Sequence, residues 1–253
     1  VRGDGLRLAV GTFTALPIKP PSLVDRSGAR VAMVLAPLAV LPIAAVALGV
    51  GELARLLTLS PLIVSVLLIG TFALGSRGLH LDGLADTADG LTASYNTKRA
   101  LEIMRRGNTG PAGAAALVLV LALQITALAP ILARPWGLPV AVVLLCLARS
   151  SLLITCAAGV SAAREAGLGV MVAGVVPRWL GAIGGLLAAA AAAVTSAGSG
   201  RPWWHGPLAV LAAAIVVFVL MMRCRKRFGG ITGDVLGAGI EVAAAVLLVA
   251  SSS

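Results

Sequence analysis

The chain has 253 residues, of which 59% are hydrophobic and 12% charged, and its mean hydropathy is +1.01. That is too apolar for a water-soluble domain and too long for a single membrane anchor. A net charge of +10 would fit a nucleic-acid binder if the cations lined a polar domain, but they lie between apolar runs, where they orient a membrane protein instead.

Leu6 to Pro17 predicts a short helix lying on the membrane surface or packed against a bundle. It does not read as a cleavable signal peptide, being short, interrupted and without a small-residue cleavage site. Seven apolar runs then predict membrane spans at about 31–51, 60–76, 112–133, 137–160, 180–198, 207–222 and 235–250. The expected fold is an all-α polytopic bundle, one membrane-embedded domain over residues 1–253. Cys146 and Cys156, in the fourth run, and Cys224, beside the sixth, have neither metal-ligand spacing nor a disulfide framework and predict buried packing residues. The Ala-rich stretch Leu186 to Ala193 predicts a close-packing helix face. Trp203 and Trp204 suit the outer aromatic belt.

Placing the N-terminus in the cytoplasm puts sixteen Lys and Arg residues inside and only Arg55, Arg134 and Arg201 outside, with Arg149 within a span. This bias predicts a multi-pass protein of the cytoplasmic membrane. The same topology brings nine of the ten acidic residues to the inner face, all but Glu52.

Three of those acids fall within eight positions, His80-Leu-Asp82-Gly-Leu-Ala-Asp86-Thr-Ala-Asp89. At a bilayer centre they would cost about 8–10 kcal/mol together, which predicts a site at the membrane edge rather than accidental placement. If helical, Asp82, Asp86 and Asp89 share one face, and like charges so spaced repel unless neutralised. Mg²⁺ prefers such oxygen ligands and keeps exchangeable positions for substrate phosphates. The interleaved Gly83, Ala85, Ala88 and Gly90 leave room for close approach, and His80 reads as a ligand or as a hydrogen-bonding support. A second cluster, Gly229-Gly230-Ile-Thr232-Gly233-Asp234 through Gly237 to Glu241, joins a glycine-rich turn to two acids on one helix face, a pattern that holds phosphate. A third, Arg105 to Gly113, pairs cations with a turn before a helix start. Arg149, costly in lipid, is expected to face the bundle interior, and Arg164-Glu165 follows the same span. Carboxylates for a metal, arginines for phosphate and glycines for close approach suit phosphoryl or nucleotidyl transfer.

The string His80-Leu-Asp82-Gly-Leu-Ala-Asp86-Thr-Ala-Asp89-Gly90 resembles the signature of the cobalamin synthase family, the adenosylcobinamide-GDP ribazoletransferases. Phe13-Thr-Ala-Leu-Pro17, Leu101-Glu-Ile-Met-Arg105, Ala163-Arg164-Glu165-Ala-Gly167-Leu-Gly169 and Gly229-Gly-Ile-Thr-Gly233-Asp234 match in the same order, from about residue 6 to 250. The resemblance implies a Mg²⁺-dependent membrane enzyme of coenzyme B12 assembly, joining adenosylcobinamide-GDP to α-ribazole or its 5′-phosphate with release of GMP. On this reading Asp82, Asp86 and Asp89 hold Mg²⁺ on the pyrophosphate, and one of them or Asp234 takes the proton of the attacking hydroxyl. Arg105, Arg149 and Arg164 neutralise the departing GMP, while His80, Glu165, Gly230, Thr232, Gly233 and Glu241 complete the substrate site. The chain departs from the family pattern at Arg105-Arg106-Gly107-Asn108, where Arg106 and Asn108 replace an Asp and an Arg. A CDP-alcohol phosphotransferase is the nearest alternative, though Asp86 stands where its pattern requires Arg. An ion-coupled transporter would place its acids near the midplane. A homo-oligomer or docking of pathway enzymes on the inner face stays open.

Overall fold

A computed structural model describes residues 4–22, 24–93 and 96–252. The described residues form helices and two isolated parallel bridges, Ala157 to Val176 and Ala162 to Ile231, with no sheet among them. The expected all-α bundle is what the chain builds.

The N-terminal segment forms α1 (Asp4–Phe13), which turns Ala9 and Phe13 inward. It packs on α2 (Arg26–Val34), with Gly5 against Val31 and the Gly28 carbonyl. α2 starts on Asp25, which accepts hydrogen bonds from the Gly28 amide at 2.7 Å and the Ser27 hydroxyl at 2.9 Å. Those bonds favour the ionised form and hold this carboxyl below its ordinary range.

The first expected span is not one helix. Prolines lack the N–H that an uninterrupted helix needs, and residues 31–51 break at Pro37 and Pro42. The result is α2, then α3 (Ala36–Ala39), then α4 (Leu41–Leu56), each proline sitting in the first turn of its helix. The second expected span is α5 (Pro61–Gly75), capped by Ser60. It turns by 89° into α6 (Leu79–Thr92). Arg77 and Gly78, at φ 59° and 67°, make that corner. Glycine accepts a left-handed backbone freely, and Arg77 is tethered there by donating to the Gly11 carbonyl at 2.9 Å.

After the short α7 (Thr97–Ile103), each remaining expected span has its helix, the fourth ending at Thr155 rather than 160 and the sixth running on to Phe228 rather than 222. They are α8 (Pro111–Leu132), α9 (Gly137–Leu147) continued through a 3₁₀ turn and α10 (Leu152–Thr155), then α12 (Arg178–Gly198), α13 (His205–Phe228) and α14 (Gly233–Ser252). A five-residue α11 (Leu168–Val172) precedes α12. Five described helices are thus long and apolar enough to cross a membrane alone, and a sixth crossing is available if α5 and α6 count as one bent span. The expectation of seven loses its first member to the two prolines.

α14 is the axis of the bundle, packed by α6, α8 and α13. α12 lies outside: it buries only Ala188, Ala192 and Ser196, so the expected small-residue face does pack inward while Leu186 and Leu187 stay exposed. Cys146, Cys156 and Cys224 are buried, as their settings predicted. At the far end, Arg134 and Arg201 donate to the Ser251 carbonyl at 3.0 and 2.8 Å, and Arg134 to that of Ser252 at 2.7 Å. These cations satisfy the carbonyls that a helix end leaves unpaired. Partial burial and the neighbouring Arg134 hold the Arg201 guanidinium below its ordinary range.

Candidate active site

The three aspartates do lie on one helix, α6, with Asp82 exposed and Asp86 and Asp89 buried. Repulsion at these spacings opposes the helix, and packing on its other side upholds it. A Cβ on Gly83 would stand 2.6 Å from the Asp234 carbonyl oxygen, and one on Gly237 would stand 3.0 Å from the His80 Cα. α6 and α14 therefore touch backbone to backbone, and this contact brings Asp234 to the aspartates of α6. Asp86 lies within the fields of Asp82, Asp234 and Asp89, opposed by the guanidinium of Arg164.

Arg164 reaches this group because its loop is pinned to the segment before α14. The Ile231 amide donates to Ser161 and the Ala163 amide donates to Ile231, both at 2.9 Å. Arg164 Nη1 then stands 3.3 Å from Asp234 Oδ2, and its Nη2 donates to the Leu101 carbonyl at 3.3 Å. The Thr232 hydroxyl donates to the same Asp234 oxygen at 3.0 Å and accepts from the Val235 amide at 3.4 Å, capping α14. Glu165, exposed on that loop, makes no ion pair or side-chain hydrogen bond among the described residues.

The glycine-rich turn also has a packing role. A Cβ on Gly230 would fall 2.4 Å from the Ser161 carbonyl oxygen, so backbone contact between two loops requires this glycine. The amide of Gly229 is spent on Arg225 and that of Ile231 on Ser161. Gly230 and Thr232 thus secure the turn. Gly233 opens α14 in ordinary contact with Leu168.

Asp89 also has a different setting from its two neighbours. Its carboxylate accepts from the Gly110 amide at 2.7 Å and the Gly113 amide at 2.8 Å, the free N–H groups at the start of α8. Glycine is needed at both positions, because a Cβ would meet an Asp89 oxygen at 2.6 and 2.5 Å. Asp89 fixes α8 to α6, each of its oxygens accepting one of these amides. Asp89→Leu is expected to destabilise the protein by about 1–2 kcal/mol, as loss of a helix cap does, and Asp89→Asn by about half as much. Thermal unfolding of the detergent-solubilised protein checks this.

His80, Arg149 and Glu241 form a separate group on the buried side of α6. His80 Nδ1 is 3.9 Å from Glu241 Oε1 and its ring is tilted against Phe13. Arg149, 3% exposed, donates to the Leu145 carbonyl and lies 5.0 Å from the Phe72 ring centroid, a favourable cation–π distance. Arg149 faces the interior as expected, but it and its partners do not join the aspartates of α6 and Asp234. Gln124 of α8 belongs to the same group, donating to Glu241 Oε2 at 2.8 Å. A lone amide inside an apolar span is the signal that marks it.

Arg105 is exposed. Its neighbours Arg106 and Asn108 instead line an open cleft of about 390 Å³ beside Asp89, with Thr92, Ile103 and Pro111. Arg106 also pairs with Glu102 at 3.4 Å.

Among the described residues no three His, Cys, Asp or Glu side chains converge as a ready-made metal cage. The arrangement is instead a carboxylate-rich edge, Asp82, Asp86 and Asp234 against one Arg164, beside a cleft with its own cation. Mg²⁺ needs only one or two protein carboxylates where phosphate oxygens and water supply its other ligands.

No solved structure matches this chain. A protein of Nocardioides sp. named adenosylcobinamide-GDP ribazoletransferase is 45% identical over 98% of this chain and 97% of its own length. Proteins of the same name from Frankia casuarinae and Corynebacterium efficiens are 37% and 34% identical, over 96% and 97% of this chain and 92% and 90% of their own. The model of the family described as cobalamin-5-phosphate synthase matches residues 5–252, a stretch holding α6, the Arg164 loop and α14 alike. With both halves of the carboxylate edge inside one full-length match, the chain belongs to the cobalamin-5-phosphate synthase family.

Proposed function

We propose that this chain is an adenosylcobinamide-GDP ribazoletransferase. The observation that carries the reading is the backbone contact of Gly83 with Asp234, which sets the carboxylates of α6 beside Asp234 and Arg164 in a chain homologous to enzymes of that name. Neither a CDP-alcohol phosphotransferase nor a transporter accounts for the full-length match.

In the reaction, a ribose hydroxyl of α-ribazole, or of its 5′-phosphate, attacks the corrinoid-side phosphorus of adenosylcobinamide-GDP. A new P–O bond forms, the pyrophosphate P–O bond breaks, and GMP leaves. Bound Mg²⁺, held by Asp82 and Asp86, would neutralise pyrophosphate oxygens. Asp234 already accepts from Arg164 and Thr232, so the proton of the attacking hydroxyl goes more readily to a carboxylate on α6. Arg164 at the edge and Arg106 in the cleft are placed to meet the charge that develops on GMP. The site faces the cytoplasm, in line with the cations around it, Arg223 to Arg227 among them, and the N-terminus lies on the same side.

The test is purified protein in liposomes with adenosylcobinamide-GDP and α-ribazole, GMP and corrinoid product being followed by chromatography. Turnover is expected with Mg²⁺ and is expected to stop with a chelator. No turnover of either ribazole form by folded protein would remove this reading.

A further inference from the structure

We infer that Glu241 is a positioning residue for Asp82 and Asp86, acting through a buried lock with His80, Gln124 and Arg149; the catalytic half of this inference rests on the transferase reading above. Glu241 lies seven residues beyond Asp234 on α14, about 10 Å deeper along the helix. Three helices meet at its side chain. Gln124 of α8 donates Nε2 both to Glu241 Oε2 at 2.8 Å and to the Glu241 carbonyl at 3.1 Å. His80 of α6 approaches Oε1 from the other side, at 3.9 Å.

That last distance is a close electrostatic contact, longer than a direct hydrogen bond. Both nitrogens of His80 and the Nε of Arg149 are buried and make no hydrogen bond within the protein. A cavity of about 20 Å³ is lined by Arg149, Glu241 and Gln124. This is too little room for a phosphate group, so the cluster takes no substrate.

Its position gives it a mechanical consequence. His80 and Asp82 are two residues apart and point to opposite sides of α6. Holding His80 to Glu241 fixes the roll of α6 on α14, and that roll sets where Asp82 and Asp86 stand relative to Asp234. Backbone contact at Gly83 and Gly237 limits the distance between the helices, while the side-chain lock limits their rotation.

The experiment compares Glu241→Gln with wild type in kcat, in KM for both substrates and in hydrogen–deuterium exchange of residues 79–92. The expected result is a fall in kcat of up to about a hundredfold, with both KM values within about twofold. Exchange in α6 is expected to speed up by about fivefold or more while α12 and α13 stay unchanged. Should Glu241→Gln fail to fold, the paired variant Arg149→Met with Glu241→Leu removes both buried charges and is expected to regain stability without regaining kcat. Wild-type exchange in α6 in a folded variant, or a raised KM at unchanged kcat, would overturn the lock. If wild type turns over neither ribazole form, the transferase reading fails, and the exchange measurement still decides the lock.

Discussion

Asp82→Asn is expected to lower Mg²⁺-dependent turnover by about 10²–10³-fold, or roughly 3–4 kcal/mol of transition-state stabilisation, in a protein that remains folded. Asp82 is exposed on α6 and enters the field of Asp86. An isosteric amide there relieves like-charge repulsion, so stability should stay within about 0.5 kcal/mol of wild type. What is lost is a full negative charge at the only exposed carboxylate of the motif, and with it a hard oxygen ligand for the divalent ion. The Mg²⁺ concentration giving half-maximal rate should rise in any residual activity. The assay is GMP release against Mg²⁺ concentration, beside thermal unfolding of the same preparation. Wild-type turnover at the same Mg²⁺ requirement would show that Asp82 neither binds metal nor takes the proton.

Gly83→Ala tests the geometry rather than the charge. The added carbon would lie 2.6 Å from the Asp234 carbonyl oxygen and 3.1 Å from the Asp234 Cα. Backbone atoms inside a packed helix pair cannot swing aside as a flexible side chain does, so α6 and α14 must separate. Overpacking of this kind costs about 1–3 kcal/mol of stability. The shift moves Asp82 and Asp86 away from Asp234 and Arg164, and turnover is expected to fall by about a hundredfold. No carboxylate or cation is altered in this variant. Gly49→Ala is the control, since nothing lies within 4 Å of the added carbon and both stability and turnover should be near wild type. Activity retained in Gly83→Ala would mean that the two helices need not touch for the chemistry.

These two sites show where local reading succeeds and where it stops. Repulsion between Asp82, Asp86 and Asp89 is visible in their spacing, and so is their common helix face, because both depend on residues within eight positions. The split of that motif is not visible. Asp89 looks equivalent to Asp86 until α8 brings Gly110 and Gly113 to its oxygens. That Gly230 lets Ser161 pack against it is likewise invisible in the sequence. Arg106 displaces Arg105 from the cleft only through the course of the chain after α7.

From the sequence alone came the all-helical membrane class, the positions of six of the seven apolar segments, the burial of the cysteines and the family resemblance carried by the aspartate string. Hydropathy is a sum over neighbouring residues, and a short motif is read along one helix, so neither needs a fold to be known. The tertiary structure alone decided that Pro37 and Pro42 break the first span, that α5 turns into α6, and that His80, Gln124, Arg149 and Glu241 gather apart from Asp82, Asp86, Asp234 and Arg164. Those outcomes depend on contacts between residues as much as 161 positions apart. Such contacts are selected by which glycines let two backbones touch and which buried polar groups find partners, and both conditions exist only once the helices are packed.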